Sequence, residues 1–336
     1  MTDARWETLA KEHPSASIFH QRGWLEALSR TYRYEPFVIS KTPAGRPLEE
    51  GVVFCSVSSW ITGTRLVSLP FADHCAPLLT DSGSWLDIWE WLSQECAGRR
   101  WRYAELRPLF EVVKAAGVHE SATYFFHELD LTPSLECIFK QLHKTCIQRK
   151  VLRAEKEGLS CERGNSDELL SDFYRLQLMT RRRHRLLPQP RAWFRNLLAC
   201  LPGQSEIMVA RKDGRAIAAM MILRHGTTVT YKYGCSDDRF HALGSMPYLF
   251  WALIETSKAA GAERIDFGRS DLEHKGLVQF KDRLGAAKRL ASYYRYEKDK
   301  SSPEMKWDSE IARQFFCLLP NRAFSAAGQL VYRHLG

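Results

Sequence analysis

No stretch of this 336-residue chain is apolar for long enough to cross a membrane. Runs such as Tyr248 to Ile254 fall far short of the roughly 20 residues a spanning helix needs. The first residues, Met-Thr-Asp-Ala-Arg-Trp-Glu, lack the apolar core of a secretory signal. The nine cysteines are odd in number and form no C-x-x-C pair. A zinc ribbon is thereby excluded, a disulfide framework is disfavoured, and no metal site is expected. Low-complexity segments are missing as well, so no long tract is expected to stay disordered. These absences predict a cytoplasmic chain with reduced thiols and no transmembrane segment. They leave peripheral contact with a membrane surface open. Negative charge is also in deficit: 39 acidic against 48 basic residues give a formal charge of +9. That excess favours an anionic partner without choosing among nucleic acid, phosphorylated substrates and an anionic membrane face.

What is present is ordinary globular composition, 45% hydrophobic and 26% charged, in a length that suits one large domain or two ordinary ones. His20 to Tyr32 reads as an amphipathic helix, and residues 36–39, 51–57 and 65–69 read as strands. A helix over 85–97 closed by Gly98, a strand over 103–106, a helix over 110–116 and a strand over 123–131 follow. In the second half, strands over 206–210, 216–223 and 228–235 are joined by turns at Asp213-Gly214 and His225-Gly226. A helix from Ser245 to Ala260, a strand over 264–267, a helix over 277–284 and a strand over 290–296 complete it. Both halves thus run strands, helix, strand, helix, strand, which predicts a duplicated unit.

The predicted boundaries are a first domain over 1–133, a second over 134–300 and a helical tail over 301–336. Residues 134–158 are expected to form one long linking helix. At 100° per residue its initial apolar face (Leu135, Ile138, Phe139, Leu142, Cys146) is continued by Arg149, Arg153 and Lys156. A second basic cluster, Arg181 to Arg185, follows a short helix. The two clusters are expected to border one cleft, or else to be solvated helix ends that suit the helix dipole.

Leu243-Gly244-Ser245-Met246, a helix, Ile265-Asp266-Phe267-Gly268, Gly276-Leu277 and Phe280-Lys281-Asp282-Arg283-Leu284-Gly285 together resemble the Fem-like and CelD/BcsL-like branch of the acetyltransferase (GNAT) superfamily. Arg149-Lys150 with Ala154 to Gly158, and Leu69-Pro70-Phe71, are similar too. The resemblance covers roughly residues 17–296. It implies an α/β (α+β) architecture of two tandem GNAT-like domains, with mixed sheets flanked by helices. It also implies transfer of an acyl or aminoacyl group to an amine of a cell-envelope, peptidoglycan or exopolysaccharide precursor. No permanently bound cofactor is implied; the donor is aminoacyl-tRNA or acyl-CoA. The expected partners are tRNA, CoA or a nucleotide-sugar-linked precursor, not DNA, met by a monomer. The sequence departs from some members in having no long helical hairpin in the second domain. It departs from acetyl-CoA enzymes in keeping one glycine and one arginine of their pyrophosphate turn, within Asp238 to Ser245. A CoA-dependent small-amine acetyltransferase and a non-catalytic partner in envelope polysaccharide assembly remain as alternatives.

Acyl transfer to an amine needs a neutral nucleophile, donors for the tetrahedral oxyanion and a proton for the leaving group. The resemblance places Lys281 at the acyl-transfer centre as a cation for an oxyanion or phosphate, against a reading as a surface lysine. Asp266, inside Ile265 to Phe267, either orients the amine or is a hydrogen-bonded core carboxylate. Tyr233 either protonates the leaving group or is core. Arg269 and Asp271 stand where a strand's C-terminal end meets ligands in open sheets. Phe280, Arg149, Arg153 and His184 complete the substrate-binding candidates, and Gly244 and Ser245 are the donor-binding candidates. Cys235 with His184 or His241 carries no local signature of a nucleophile.

Overall fold

The computed structural model describes residues 3–60, 63–81, 83–99, 101–110, 112, 115–297 and 318–335. The chain divides into two compact units. The first holds Met1–Tyr124, Leu290–Ser309 and Gln329–Gly336, and the second holds Phe125–Arg289 and Glu310–Gly328.

The first unit opens with α1 (Ala4–Glu12) and α2 (Arg22–Tyr32). Trp24, Leu25 and Leu28 recur at helical spacing on α2, and all three are buried. β1 (Glu35–Ile39), β2 (Val52–Ser59) and β3 (Gly63–Ser68) form an antiparallel meander, followed by α3 (Ser84–Arg99) and β4 (Ala104–Leu106). β3 and β4 are parallel, as a helical crossover requires. β5 (Val118–Asp130) begins in this unit, and the end of β11 (Ala287–Tyr296) returns to it. The strand order is β1-β2-β3-β4-β11-β5.

The second unit takes the end of β5 and continues with α4 (Leu135–Gln141), α5 (Arg149–Lys156), β6 (Ser160–Gly164), α6 (Asp167–Arg183) and α7 (Arg191–Cys200). The antiparallel strands β7 (Ser205–Lys212), β8 (Arg215–His225) and β9 (Thr228–Ser236) lead to α8 (Ser245–Ala259), β10 (Arg264–Asp271) and α9 (Lys275–Arg283). Its order is β5-β10-β9-β8-β7-β6. β8 is central and buried from Ala216 to Leu223, so it reads as a continuous apolar run. Leu249, Phe250, Leu253 and Ile254 of α8 pack onto this sheet. The last helix, α10 (Asn321–Leu335), begins in the second unit and ends in the first. Among the described residues no helix is long and apolar enough to cross a membrane.

Four expectations need correction. The final strand of each half lies in the other half's sheet: Tyr294 of β11 registers with Leu106 of β4, while β5 neighbours β10. The units accordingly part within β5 and β11 rather than at residue 133. Alternating apolarity defines a strand but not its partner. The linking helix over 134–158 is not continuous. Leu142 adopts an extended backbone (ψ 143°), and a π-helical turn over Lys144–Gln148 precedes α5. Gln148 seals the break by donating to the carbonyls of Phe139 and Leu142 at 3.0 and 2.7 Å. The helical phase is therefore reset, and Arg149 and Arg153 do not continue the α4 face. Gly98 lies inside α3 rather than closing it. The segment before the Arg181 to Arg185 cluster is a helix of 17 residues, and Arg181, Arg182 and Arg183 are its last turn. The helix expected over 110–116 falls partly outside the described residues, as does the tail over 301–317.

Candidate functional site

The second unit presents a helix N-terminus that no side chain among the described residues caps. Gly244 holds φ 77° at the N-cap of α8, and an added Cβ there would lie 2.6 Å from the Lys150 carbonyl oxygen of α5. Glycine is required both for the left-handed backbone and for this close approach. The consequence is that no side chain caps the helix. The first intrahelical bond runs from Tyr248 N–H to the Gly244 carbonyl, which leaves the N–H groups of Ser245 and Met246 ahead of it. Ser245 is buried, and its hydroxyl has no hydrogen-bond partner. Charged and polar groups of both kinds lie near the helix end, Arg183 and Lys150 among the cations and Asp237 and Asp238 among the acids. Arg183 donates to the Ser236 carbonyl at 3.1 Å, His241 lies 2.9 Å from the Ser236 hydroxyl, and Lys150 sits on the Gly244 side. Burial, then Arg183, with a smaller push from Lys150, lowers the His241 pKa, while Asp238 and Asp237 pull the other way.

Beside this helix two parallel strands come apart. β9 and β10 register at only three positions, Thr228 to Thr230 against Arg264 to Asp266, although both strands continue. A bulge inserts Lys232, since Met221 faces Tyr233 and Ile222 faces Tyr231. It turns the two tyrosines to opposite faces. Tyr231 meets Phe250 of α8 at 4.7 Å between ring centres, and Tyr233 accepts a 2.8 Å bond from the Trp193 indole N–H of α7. Cys235 shares the Tyr233 face, against the Phe173 carbonyl of α6. Burial pushes its thiol far above the ordinary range, so it is a core group and no nucleophile.

The end of β10 is held from below by α9. Lys281 is 3% exposed, and its ammonium donates to the carbonyls of Gly268 and Arg269, each at 3.0 Å. It is thus no solvent-facing helix lysine. Asp266 is buried and accepts from Gly268 N–H at 2.6 Å and from the Thr230 hydroxyl at 3.5 Å. Its carboxylate shapes the turn that carries Gly268 into positive φ (67°). Arg269 is half-buried and Asp271 exposed. Phe280 packs on Phe250 at 5.4 Å, in the core beneath α8. Ser270 has a buried hydroxyl without a partner.

Sequence reasoning missed His127. It lies on β5, fully buried, and neither ring nitrogen makes a hydrogen bond, although Asp282 Oδ1 of α9 stands 3.4 Å from Nε2. Burial, and then the charge of Lys281, pushes the imidazole pKa down to about 4, with Asp282 pulling the other way. A neutral histidine therefore lies behind the cation of α9. The available signal was a histidine among Phe125, Phe126, Leu129 and Leu131, but apolar neighbours give no partner.

The basic cluster divides. Arg182 donates to the Asn321 side chain (3.0 Å) and the Leu319 carbonyl (2.8 Å) and covers Phe324, and Arg181 donates to the Gln189 side chain at 3.2 Å. These two hold local structure, and only Arg183 turns toward the α8 end. His184 is exposed and near His274, which lowers its pKa after burial and Arg183 have done so. Arg149 and Arg153 are exposed on α5, with Arg153 3.8 Å from Glu157. The structure therefore brings Gly244, Ser245, Lys150, Arg183 and His241 together at α8. It groups Asp266, Arg269, Lys281 and His127 around the end of β10, and sets Tyr233 on the α7 face.

Residues 143–276 match the family model described as an acetyltransferase (GNAT) domain. A UDP-N-acetylmuramoylpentapeptide-lysine N(6)-alanyltransferase of Weissella viridescens is 24% identical over 98 residues, which span 29% of this chain and 29% of that relative. Among solved structures, FemX superposes with a TM-score of 0.70 at 14% identity, over 88% of this chain and 96% of that one. The C-terminal domain of a lysylphosphatidylglycerol synthetase from Agrobacterium fabrum gives a TM-score of 0.58 at 14% identity, over 88% and 91%. A tandem GNAT protein from the clavulanic acid biosynthesis pathway gives 0.52 at 11% identity, over 89% and 95%. The chain shares the mixed α/β fold of FemX over most of its length, and within it residues 143–276 are similar to an acetyltransferase (GNAT) domain.

Proposed function

We propose that this chain is an acyltransferase that moves an aminoacyl or acyl group from an anionic carrier onto an amine of a peptidoglycan or other envelope precursor. The observation that carries the reading is the uncapped, cation-flanked N-terminus of α8 beside the splay of β9 from β10. A helix N-terminus with free N–H groups and positive neighbours accepts phosphate oxygens. A splayed strand presents backbone groups to an acyl chain. Both features lie within the GNAT domain, and the alanyltransferase relative acts on an amine, a lysine N(6).

In this reading Gly244 and Ser245, with Lys150 and Arg183, hold the phosphates of acyl-CoA or of aminoacyl-tRNA. Both donors fit the same chemistry. The amine attacks the acyl carbonyl near the end of β10, its nitrogen loses a proton, and the carrier leaves protonated. Lys281 places positive charge behind this strand end, which lowers the energy of the tetrahedral oxyanion. Asp266 acts by fixing the Gly268 turn, and Arg269 and Asp271 line the acceptor side. Phe280 supports α8 from the core, and Tyr233 keeps the α7 face of β9 in place. Arg149, Arg153 and His184 offer outer charge to a large acceptor or donor. The reaction belongs to the cytoplasm, where both donors are made, and a monomer holds every group named.

A thermal-shift screen of acetyl-CoA, charged tRNA and UDP-linked muramoyl peptide, followed by a labelled-acyl transfer assay on the stabilising pair, tests this. Stabilisation by one donor and one acceptor, with label appearing on an amine, is the expected outcome. Stabilisation by a donor that survives Arg183→Glu together with Lys150→Glu would remove the α8 site from the reading.

A further inference from the structure

The first unit carries a surface feature that the transferase reading leaves unused. Trp60, at the tip of the β2–β3 hairpin, is 89% exposed. A tryptophan left in water at a hairpin tip forgoes a large apolar burial, so its environment decides whether it marks a docking point. Here the ring is held rather than loose. It makes an edge contact with the His334 ring of α10 at 6.1 Å between centres, and His334 Nδ1 lies 3.0 Å from the Ser59 hydroxyl at the hairpin's base. Arg65 donates to the His334 carbonyl at 2.9 Å and fixes the helix end to the strand. One turn back on α10, Leu330 shares the His334 face and is 67% exposed. Arg333, beside it, is also exposed. The opposite flank of the hairpin carries Arg102, whose methylenes pack on Gly63 so closely that a Cβ there would lie 2.5 Å away.

The two segments that build this feature carry charge of one sign. No Asp or Glu occurs from Val52 to Ser68 or from Gln329 to Leu335, whereas the exposed Arg333 and the half-buried His334 do. An exposed indole and an exposed leucine next to the exposed Arg333, on two segments that carry no acid, match the headgroup region of an anionic bilayer. The indole and the leucine sit at the acyl boundary there, and the guanidinium group meets lipid phosphates. A protein partner would not require the face to lack acids.

We propose that the Trp60 hairpin tip, with Leu330 and Arg333, docks the protein on an anionic lipid surface. The inference stands apart from the transferase reading, because none of its residues belongs to the second unit's site. The test is co-sedimentation of the full chain with phosphatidylcholine vesicles, with and without phosphatidylglycerol, at low and high salt. Binding should require phosphatidylglycerol and weaken with salt. Trp60→Ala should reduce the partition coefficient by about tenfold, and Arg333→Glu by at least about fivefold. Trp60→Phe should retain most of the binding. Both exposed positions tolerate change, so far-UV circular dichroism should match the parent. Equal binding to neutral vesicles, or unchanged binding by Trp60→Ala, overturns the proposal. So does finding that the tip variants alter self-association in vesicle-free sedimentation velocity, which would make the face a contact between copies.

Discussion

The helix that follows the antiparallel three-strand run of each unit, β1–β3 or β7–β9, begins in opposite electrostatic settings. In the first unit α3 is capped by the protein's own acids: Asp81 Oδ1 accepts from Gly83 and Ser84 N–H at 2.6 and 3.1 Å, and the Ser84 hydroxyl donates to Glu50 at 2.7 Å. In the second unit α8 starts at a glycine with no cap, its first hydroxyl unpartnered and cations around it. The positive end of the helix dipole meets acidic side chains in one case and no capping side chain in the other, the difference on which the proposed donor site rests. The buried acid of the fourth strand differs in the same sense. Glu105 is neutralised by Arg107 and Arg295 at 2.8 Å each, while Asp266 accepts from a backbone N–H and a hydroxyl. Where β9 and β10 splay, the equivalent place after β3 and β4 is filled, with Arg107 donating to the Leu69 and Ala72 carbonyls. Corresponding places in the two units thus differ in polarity: the first is closed by its own ion pairs, and the second carries the groups of the proposed site.

That contrast can be broken most severely at Lys281. Lys281→Met should lower turnover by about a hundredfold or more, the scale of one preorganised electrostatic group. It should also destabilise the protein by about 1–3 kcal/mol, because two buried carbonyls lose their donor. Paired urea melts and single-turnover assays on an identified substrate pair check both. Normal turnover in a folded Lys281→Met protein ends the catalytic assignment.

A pH titration of stability separates the two units by window. His127 has a folded pKa near 4, below its ordinary 6.5, so the unfolded chain binds its proton more tightly. Its contribution is complete above about pH 6.5 and is lost as pH falls toward 4, up to about 3 kcal/mol in all. Lys281, Asp282 and Lys288 are the charges that face it. Glu105 acts lower. Burial alone would raise its pKa, but Arg107 and Arg295 outweigh burial and hold it below 4.5, so its contribution is present above that value and fades beneath it. His127→Gln should flatten the pH 6.5 to 4 segment of the melting profile, and Glu105→Gln only the more acidic one. A profile unchanged by His127→Gln would show that the imidazole is charged or solvated in the folded protein.

The helix starts offer a smaller test. Gly244→Ala should cost about 1–3 kcal/mol from positive φ and the Lys150 carbonyl clash, together with donor binding in calorimetry. Asp81→Ala in the first unit should cost only about 1 kcal/mol, the value of a cap, and leave donor binding untouched. Equal loss of donor binding in both variants would place the anion site elsewhere.

Much of the architecture was legible because it rests on local rules. The apolar spacing of α8, the Gly244 start, the turns at Asp213-Gly214 and His225-Gly226 and the order of elements in each half are written in periods of 3.6 and 2 and in turn chemistry. Lys281 and Asp266 stand out in the sequence because a motif marks them, though the carbonyls that Lys281 meets and the N–H that Asp266 accepts from are main-chain atoms that no residue letter reveals. His127 was illegible because its significance lies in what it fails to bond and in a charge on a distant helix.

The sequence by itself determined two α/β halves, the chemical types present at the second half's site and the basic excess that favours an anion. Tertiary structure alone decided which sheet receives β5 and β11, because strand pairing is non-local. It decided that the helix over 134–158 breaks at Leu142, where Gln148 can satisfy the freed carbonyls. It decided that the Lys232 bulge sends Tyr231 and Tyr233 to opposite faces. It also decided that α3 meets carboxylates and α8 meets cations, because capping depends on which side chains folding brings to each helix end.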